Sequence, residues 1–261
     1  MDRLSFNEMF NFTGKVVLVT GSGHGLGSGI AFRFAEAGAK IVIHYNKSSS
    51  EANQFYKKLV DMGINAMIYQ ADLSKPGEVK GLFENVVEHF YQIDVLVNNA
   101  GIYPANSFLD ITPEEWKIVL DANLTSAYLC TSEAAHYMIR QEKRGVIINI
   151  TSIEAENPTA NHAHYCAAKA GLEMFSRTTA GELGKHGVRV NVVSPGLLWR
   201  EGLDKDWPEG VNRWMNAAPL GRLGQYDDVA NACLFLASPA ASWITGAKLL
   251  VDGGIMTQQV Y

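Results

Sequence analysis

Cysteine is scarce in this sequence, and the three thiols are widely spaced at Cys130, Cys166 and Cys233. Such a set is too small and too scattered for a disulfide framework or a zinc site, so we expect no metal ion. The sequence also has no apolar run of membrane-spanning length, and its N-terminal stretch lacks the basic head and apolar segment of a signal peptide. We therefore expect a cytoplasmic protein without a membrane partner.

Basic charge is not in excess either. The chain has 22 Lys and Arg residues against 27 Asp and Glu residues, a net charge of −5, which gives no electrostatic footprint for nucleic acid. Hydrophobic residues make up 47% of the sequence and charged residues 19%, so the chain can bury a sizeable core. Its 261 residues suit one large domain better than two small ones.

Short β-branched runs alternate with longer amphipathic stretches along the whole chain. Runs such as VVLV and VIINI are apolar throughout, which is typical of a parallel sheet covered on both faces. We predict an α/β, Rossmann-type, doubly wound parallel sheet of about seven strands with helices on both faces, in a single domain over residues 1–261. The predicted strands are Lys15–Thr20, Lys40–Tyr45, Ala66–Gln70, Val95–Asn98, Val146–Thr151, Val188–Val193 and Lys248–Val251. The predicted helices span about 25–37, 50–62, 76–91, 113–139, 164–185 and 226–237.

A glycine-rich loop, TGSGHGLG, follows the first predicted strand directly and precedes a helix. Glycines permit a tight turn and let the backbone approach a pyrophosphate at the helix N-terminus, where free N–H groups favour anions. The spacing is GxxxGxG, and an ordinary strand-to-helix turn can have the same composition, so the loop alone is a weak signal. The candidate cofactor residues here are Gly21, Gly23, His24, Gly25, Leu26 and Gly27.

Four polar residues form a candidate catalytic set. Tyr165 and Lys169 stand four apart in a helical stretch and so share a face. An ammonium beside a phenol favours the phenolate, which predicts a lowered pKa and an acid/base role for Tyr165. Ser152 ends a strand at the carboxyl edge of the sheet, where doubly wound folds bind ligands. Taken singly, each has a plain structural explanation, as does Asn123 in its helix.

In this order and spacing, the motifs resemble those of the short-chain dehydrogenase/reductase family, over about residues 12–256. The resemblance implies an oxidoreductase that transfers a hydride between a nicotinamide cofactor and a carbonyl or secondary alcohol. The residues that carry it are Thr20-Gly21-(x)3-Gly25-x-Gly27, Asp72, Asn98-Asn99-Ala100-Gly101, Asn123, Ser152, Tyr165-(x)3-Lys169, Pro195-Gly196 and Val251-Asp252-Gly253-Gly254.

The resemblance also implies a role for each catalytic residue and a homotetrameric assembly. Tyr165 would be the acid/base, and Ser152 would orient and polarise the carbonyl. Lys169 would lower the tyrosine pKa and bind the nicotinamide ribose, and Asn123 would hold a water that links Lys169 to solvent. The other implied cofactor contacts are Asp72 and Leu73 near the adenine, Asn99, Ala100 and Gly101 beside the adenosine ribose, and Pro195, Gly196 and Leu198 against the carboxamide.

The end of the second predicted strand bears on the choice between NADP and NAD. It continues through Tyr45, Asn46, Lys47 and Ser48 and has no acid until Glu51. An acid there holds the ribose hydroxyl in NAD-selective folds, whereas a lysine, a serine and a helix N-terminus suit a 2′-phosphate. We therefore predict NADP. The segment lacks an arginine, and the glycine loop has a histidine where many NADP-using relatives carry Lys or Arg.

The only long irregular stretch, about 196–221, predicts a substrate lid at about 197–220. Its three tryptophans either close over a substrate or pack the lid onto the domain or another subunit. Arg200 stands where the family usually has Thr or Ser. It either grips an anion or forms a surface ion pair with Glu201 or Asp204. Other polar residues border the expected pocket and are expected to be solvated: Glu154, Glu156, Asn157, His162 and His164.

Several functions remain open at this point. The layout is similar to gluconate 5-dehydrogenase-like and glucose dehydrogenase-like members, which favours a small polar substrate such as a sugar, polyol or sugar acid. The alternative is a 3-oxoacyl-acyl-carrier-protein reductase, which calls for a basic patch to meet an acidic carrier. A sugar-nucleotide epimerase is set aside because its glycine spacing differs. A nucleotide-sensing protein without catalysis is disfavoured by the intact residues Asn123, Ser152, Tyr165 and Lys169.

Overall fold

The computed structural model describes residues 4–141 and 144–257; residues 1–3, 142–143 and 258–261 of the predicted domain lie outside the described residues. The described residues form seven strands: β1 (Val16–Val19), β2 (Lys40–Tyr45), β3 (Ala66–Gln70), β4 (Val95–Asn98), β5 (Gly145–Ile150), β6 (Val188–Pro195) and β7 (Lys248–Val251). They pair in parallel in the order β3-β2-β1-β4-β5-β6-β7. The predicted Rossmann-type, doubly wound sheet is confirmed. Both ends of β2, β3, β4 and β7 match the prediction, and the ends of β1, β5 and β6 differ from it by at most two residues.

The helices lie on both faces of this sheet. They are α1 (Phe6–Met9), α2 (Gly25–Glu36), α3 (Ser49–Asp61), α4 (Pro76–Phe90), α5 (Pro113–Leu120), α6 (Ser126–Arg140), α7 (Ala163–Leu183), α8 (Leu203–Asp206), α9 (Pro208–Ala217) and α10 (Tyr226–Ala237). Among the described residues, no helix is both long and apolar enough to cross a membrane.

Successive residues of β1 supply two separate hydrophobic cores, because side chains alternate between the faces of a strand. Val17 and Val19 pack in a cluster with residues of α2 and α10, whereas Val16 and Leu18 pack with residues of α4 and α6. The whole of β1 is therefore buried, as its unbroken apolar run predicts. The strand order reverses between β1 and β4, and a crevice for a ligand is expected at this switch point.

Two helical predictions need correction. The helix predicted over 113–139 is divided by a π-helical turn, Asp121–Thr125, between α5 and α6. The stretch predicted as irregular contains α8 and α9. Gly202 at a φ of +78° precedes α8, and Pro208 starts α9. With only four residues, α8 is too short to show an apolar period in the sequence.

Candidate active site

The glycine loop joins β1 to α2 at the switch point. Gly21 has a φ of +64°, and a Cβ placed there would lie 3.0 Å from the Cα of Ala100. A Cβ on Gly27 would lie only 2.3 Å from the carbonyl oxygen of Gly21, so only glycine fits at this contact. No side chain caps the start of α2 at His24, which leaves its first N–H groups for an anion. The loop therefore fits the diphosphate of a dinucleotide.

Side chains from three strands hold this loop. The hydroxyl of Thr20 accepts hydrogen bonds from the N–H groups of Asn99 and Ala100, both at 3.0 Å. Asn99 donates from its side chain to the carbonyl of Thr20 at 2.9 Å. In β2, His44 Nδ1 accepts from the N–H of Gly21 at 3.0 Å, and its Nε2 lies 3.0 Å from the carbonyl of Ala71. Burial lowers the pKa of His44 to about 4, so the ring is neutral and donates through Nε2.

The structure brings the predicted catalytic set together at the carboxyl edge of the sheet. Ser152 follows β5, Tyr165 and Lys169 lie on α7, and Asn123 lies in the π-helical turn. The Ser152 hydroxyl lies close enough to the Tyr165 side chain to lower the pKa of the phenol. Lys169 Nζ donates to the carbonyl of Ile150 at 2.9 Å and lies 5.6 Å from the centre of the Tyr165 ring.

The ionisation of the pair differs from the sequence-based prediction. Burial raises the pKa of Tyr165 above its ordinary range. The nearby Ser152 hydroxyl lowers this pKa, and the negative charge of Glu154 raises it further. Burial also lowers the pKa of Lys169 to about 8. The sequence predicts that Lys169 lowers the pKa of Tyr165, and for the side chains of the protein alone this prediction is wrong. Desolvation of the Tyr165 phenolate outweighs the other effects on its pKa.

Asn123 presents a buried acceptor beside Lys169. Its side-chain N–H groups donate to the carbonyls of Ile102 at 2.7 Å and Val119 at 2.9 Å. Its Oδ1 is buried and has no hydrogen-bond partner among the described residues. A Cβ on Gly101 would meet this Oδ1 at 2.4 Å and Lys169 Nζ at 3.6 Å, so both groups border Gly101. An unpaired buried oxygen fits a site for a hydrogen-bonding group such as a water.

Comparison with known proteins decides the family. A family model described as enoyl-(acyl carrier protein) reductase matches residues 21–256. A 3-oxoacyl-[acyl-carrier-protein] reductase of Synechocystis sp. is 39% identical over 249 residues, which cover 95% of this chain and 99% of that protein. The chain belongs to the short-chain dehydrogenase/reductase family. It is thus an oxidoreductase of CH–OH or carbonyl groups that uses a nicotinamide cofactor, and the predicted resemblance is confirmed.

Solved structures of other short-chain dehydrogenases superpose closely on this chain. A putative gluconate dehydrogenase from Agrobacterium tumefaciens has a TM-score of 0.92 at 32% identity, covering 96% of this chain and 99% of that one. A gluconate 5-dehydrogenase from Burkholderia cenocepacia, in complex with NADP and tartrate, has a TM-score of 0.91 at 29% identity. The match covers 98% of this chain and 100% of that chain.

The remaining predicted cofactor residues lie at the same edge of the sheet. Tyr45 ends β2, and residues 46–48 lead into α3. Asp72 follows β3 and accepts hydrogen bonds from Ser74, whereas Leu73 is buried in the core. Pro195 ends β6, the N–H of Gly196 donates to Val251 at 3.0 Å, and Leu198 forms a bridge to Gly224.

The tryptophan-rich segment 197–220, which the sequence predicts as a lid, packs partly onto the rest of the chain. A Cβ on Gly196 would lie 2.7 Å from the Trp214 ring, so this ring covers the end of β6. Trp199 and Trp207 are 43% and 47% exposed. Arg200 forms an ion pair with Asp206 at 2.9 Å, and both side chains are about half exposed. Arg200 thus forms a surface ion pair, as one of the two predicted alternatives has it. Its partner is Asp206 and not the predicted Glu201 or Asp204.

Two histidines beside Tyr165 are less solvated than the sequence predicts. His164 is fully buried, and its Nδ1 accepts the N–H of Tyr165 at 2.9 Å. His162 lies 2.8 Å from a carboxylate oxygen of Glu154, with exposed side-chain fractions of 17% and 20%. Sequence reasoning missed these contacts and the support that His44 gives to the glycine loop. The one available signal was a histidine inside the apolar run KIVIHY.

Proposed function

We propose that this chain is an NADP-dependent dehydrogenase/reductase of a small polar substrate, such as a sugar, polyol or sugar acid, with Tyr165 as its acid/base. The observation that carries the proposal is the grouping of Ser152, Tyr165 and buried Lys169 at the carboxyl edge of the sheet, with Lys169 Nζ 5.6 Å from the centre of the Tyr165 ring. Two hydroxyl groups at the carboxyl edge of the sheet are suited to hold one substrate oxygen, and a phenol can exchange a proton with it.

Each residue of the set has a distinct task in the proposed reaction. Tyr165 donates a proton to the substrate oxygen during reduction and accepts it back during oxidation. Ser152 orients that oxygen by a hydrogen bond, and Asn123 lies at the start of a proton path past Lys169. The nicotinamide, when bound, supplies or takes the hydride. The glycine loop, residues 45–48 and residues 99–101 would hold the cofactor.

The preference for NADP is supported by the chemistry at the start of α3. Lys47 is exposed and takes part in no ion pair within the described part of the chain. Ser48 precedes α3, and its side chain makes no capping hydrogen bond. A free ammonium, a free hydroxyl and a helix N-terminus suit a 2′-phosphate. The Burkholderia relative that binds NADP supports the same choice.

A 3-oxoacyl-acyl-carrier-protein reductase is the second candidate, because the Synechocystis relative carries that name. An acidic carrier calls for free basic residues around the site. In the lid segment, Arg200 is paired with Asp206, and Arg213 lies over the Trp207 ring at 5.9 Å. Lys205 and Arg213 have no ion pair within the described residues, but the three basic residues of residues 197–220 are outnumbered by four acidic ones, Glu201, Asp204, Asp206 and Glu209. This balance favours the small polar substrate.

A substrate panel tests the proposal. The purified protein is assayed in both directions with NADP(H) and NAD(H), following absorbance of the reduced nicotinamide. The panel holds polyols, sugar acids, simple ketones and a 3-oxoacyl thioester. We expect turnover of a small polar compound with a preference for NADP. Turnover confined to the 3-oxoacyl thioester would support the second candidate, and no turnover of any compound would contradict the proposal.

A further inference from the structure

Glu154 and His162 form a polar pair that the catalytic set does not use. A carboxylate oxygen of Glu154 lies 2.8 Å from His162 Nδ1, and Cys166 Sγ lies 3.7 Å from the same oxygen. Both side chains of the pair are largely covered, with 20% and 17% exposed. Polar side chains that are covered to this extent need further hydrogen-bond partners or water.

The pair is attached to the reaction centre on two sides. The N–H of Glu154 donates to the Ser152 hydroxyl oxygen at 3.1 Å, so its backbone is fixed to the residue that orients the substrate oxygen. The His162 ring packs edge-to-face against the Tyr165 ring, with centroids 5.9 Å apart. The pair therefore lies next to both residues that hold the substrate oxygen in the proposed reaction.

The chemistry of the pair suits a neutral hydroxyl group. With Nδ1–H directed to the Glu154 carboxylate, Nε2 of a neutral His162 ring carries no hydrogen. It has no hydrogen bond within the described residues and is left to accept one from a ligand. The carboxylate of Glu154 disfavours a second anion nearby. An alkyl chain placed there would leave Nε2 of His162 without a partner, which costs binding energy.

We propose that Glu154 and His162 form a hydroxyl-binding subsite that selects substrates with a hydroxyl group on the carbon next to the reacting carbonyl. His162 binds that hydroxyl, and Glu154 positions the imidazole. This inference rests on the proposed function and narrows it, because it separates hydroxylated substrates from acyl chains. It also excludes a substrate carboxylate from this position.

A matched pair of ketones tests the subsite: 2-hydroxycyclohexanone and cyclohexanone differ by one hydroxyl group. The readout is the ratio of their kcat/KM values with NADPH. We expect the wild type to prefer the hydroxyketone by at least about tenfold, the effect of a hydrogen bond to a charged or polarised group. His162→Phe keeps a ring against Tyr165 and should bring the ratio to about one. Glu154→Gln should lower it by about threefold.

Controls separate this role from a structural one. Glu156→Gln removes the same charge two residues along the loop, where Glu156 pairs with Lys248 at 3.0 Å, and should keep the wild-type ratio. Cofactor titration by fluorescence shows that each variant is folded. A wild type active on both ketones without preference, or a His162→Phe protein that keeps the preference, overturns the subsite alone. A wild type inactive on every carbonyl compound tested overturns the proposed function as well.

Discussion

The Tyr165 hydroxyl is the group whose ionisation governs the proposed reaction. Oxidation requires the phenolate, because the tyrosine must accept a proton from the substrate alcohol, whereas reduction requires the phenol. Burial raises the pKa of Tyr165, so the phenolate fraction is small at neutral pH and increases with pH.

The pH profiles should therefore differ in direction. We expect kcat/KM for oxidation to rise by up to about tenfold per pH unit between pH ~6 and ~8, and kcat/KM for reduction to stay nearly flat there. The measurement is a pair of pH profiles, with a deuterium isotope effect to show that hydride transfer limits the rate. An oxidation profile that levels off below pH ~7 under those conditions would contradict a raised pKa of Tyr165.

Tyr45 controls the cofactor preference in this account, because it is the last residue of β2 and immediately precedes residues 46–48. We expect Tyr45→Asp to shift the NADP-to-NAD ratio of kcat/KM towards NAD by at least about tenfold, since a carboxylate repels a 2′-phosphate. Tyr45→Asn introduces a side chain of the same shape as Asp but without its charge, so it should shift the NADP-to-NAD ratio much less. A wild type that strongly prefers NAD would contradict the interpretation of this segment.

At the scale of elements, the glycine loop illustrates what a sequence can and cannot predict. The strand, the turn and the helix follow from the apolar run and the glycine spacing. The contact of Gly27 with the carbonyl of Gly21 and the bond from His44 to the loop do not. The first depends on the exact path of the backbone between Gly21 and Gly27, and the second on how β2 packs beside the loop, so the glycine spacing alone encodes neither.

We expect Gly27→Ala to weaken cofactor binding by at least about tenfold and to destabilise the fold by about 1–3 kcal/mol, because its methyl group would overlap the loop backbone. Gly77→Ala is the matched control: it lies at the start of α4, and no atom lies within 4 Å of its added Cβ. That substitution should leave binding unchanged and alter stability by no more than about 1 kcal/mol. Cofactor titration and urea unfolding measure both effects. Equal losses in the two variants would contradict the assigned loop contact.

The π-helical turn is an element that the sequence could not predict. The apolar period of residues 113–139 continues through it, so one helix is the simplest interpretation. A single π turn changes the backbone hydrogen bonds without changing the composition, and such turns often occur at functional sites. Here the turn contains Asn123 with its unpaired Oδ1, which connects the local geometry to the proposed proton path.

At the scale of the whole molecule, the sheet was predictable because each strand is a short apolar run with its own turn signals. The Glu154–His162 pair was not, because it depends on the shape of the loop between β5 and α7. The single-domain assignment and the role of residues 197–220 as a lid stay predictions. So does the homotetramer, which the family resemblance implies.

Exposed apolar side chains on α6 and α7 offer a surface for that assembly. Tyr128 packs edge-to-face on Phe175, with centroids 6.2 Å apart, and Tyr128 and Met174 are 51% and 56% exposed. We expect sedimentation to give four times the mass of one chain, and Tyr128→Glu with Met174→Glu to lower it, because buried charges oppose association. Met62→Glu changes an exposed residue after α3 and should leave the sedimenting mass unchanged. A wild type that sediments as one chain would contradict the prediction.

The most direct test of the central claim removes one oxygen atom. Tyr165→Phe keeps the ring and deletes the proton donor, so we expect turnover to fall by about 10²–10⁴-fold while cofactor affinity stays nearly unchanged. Tyr103→Phe removes a phenol from a neighbouring ring whose centroid lies 6.2 Å from that of Tyr165, and it should keep most of the activity. A Tyr165→Phe protein that retains more than about a tenth of the wild-type rate would show that Tyr165 is not the acid/base.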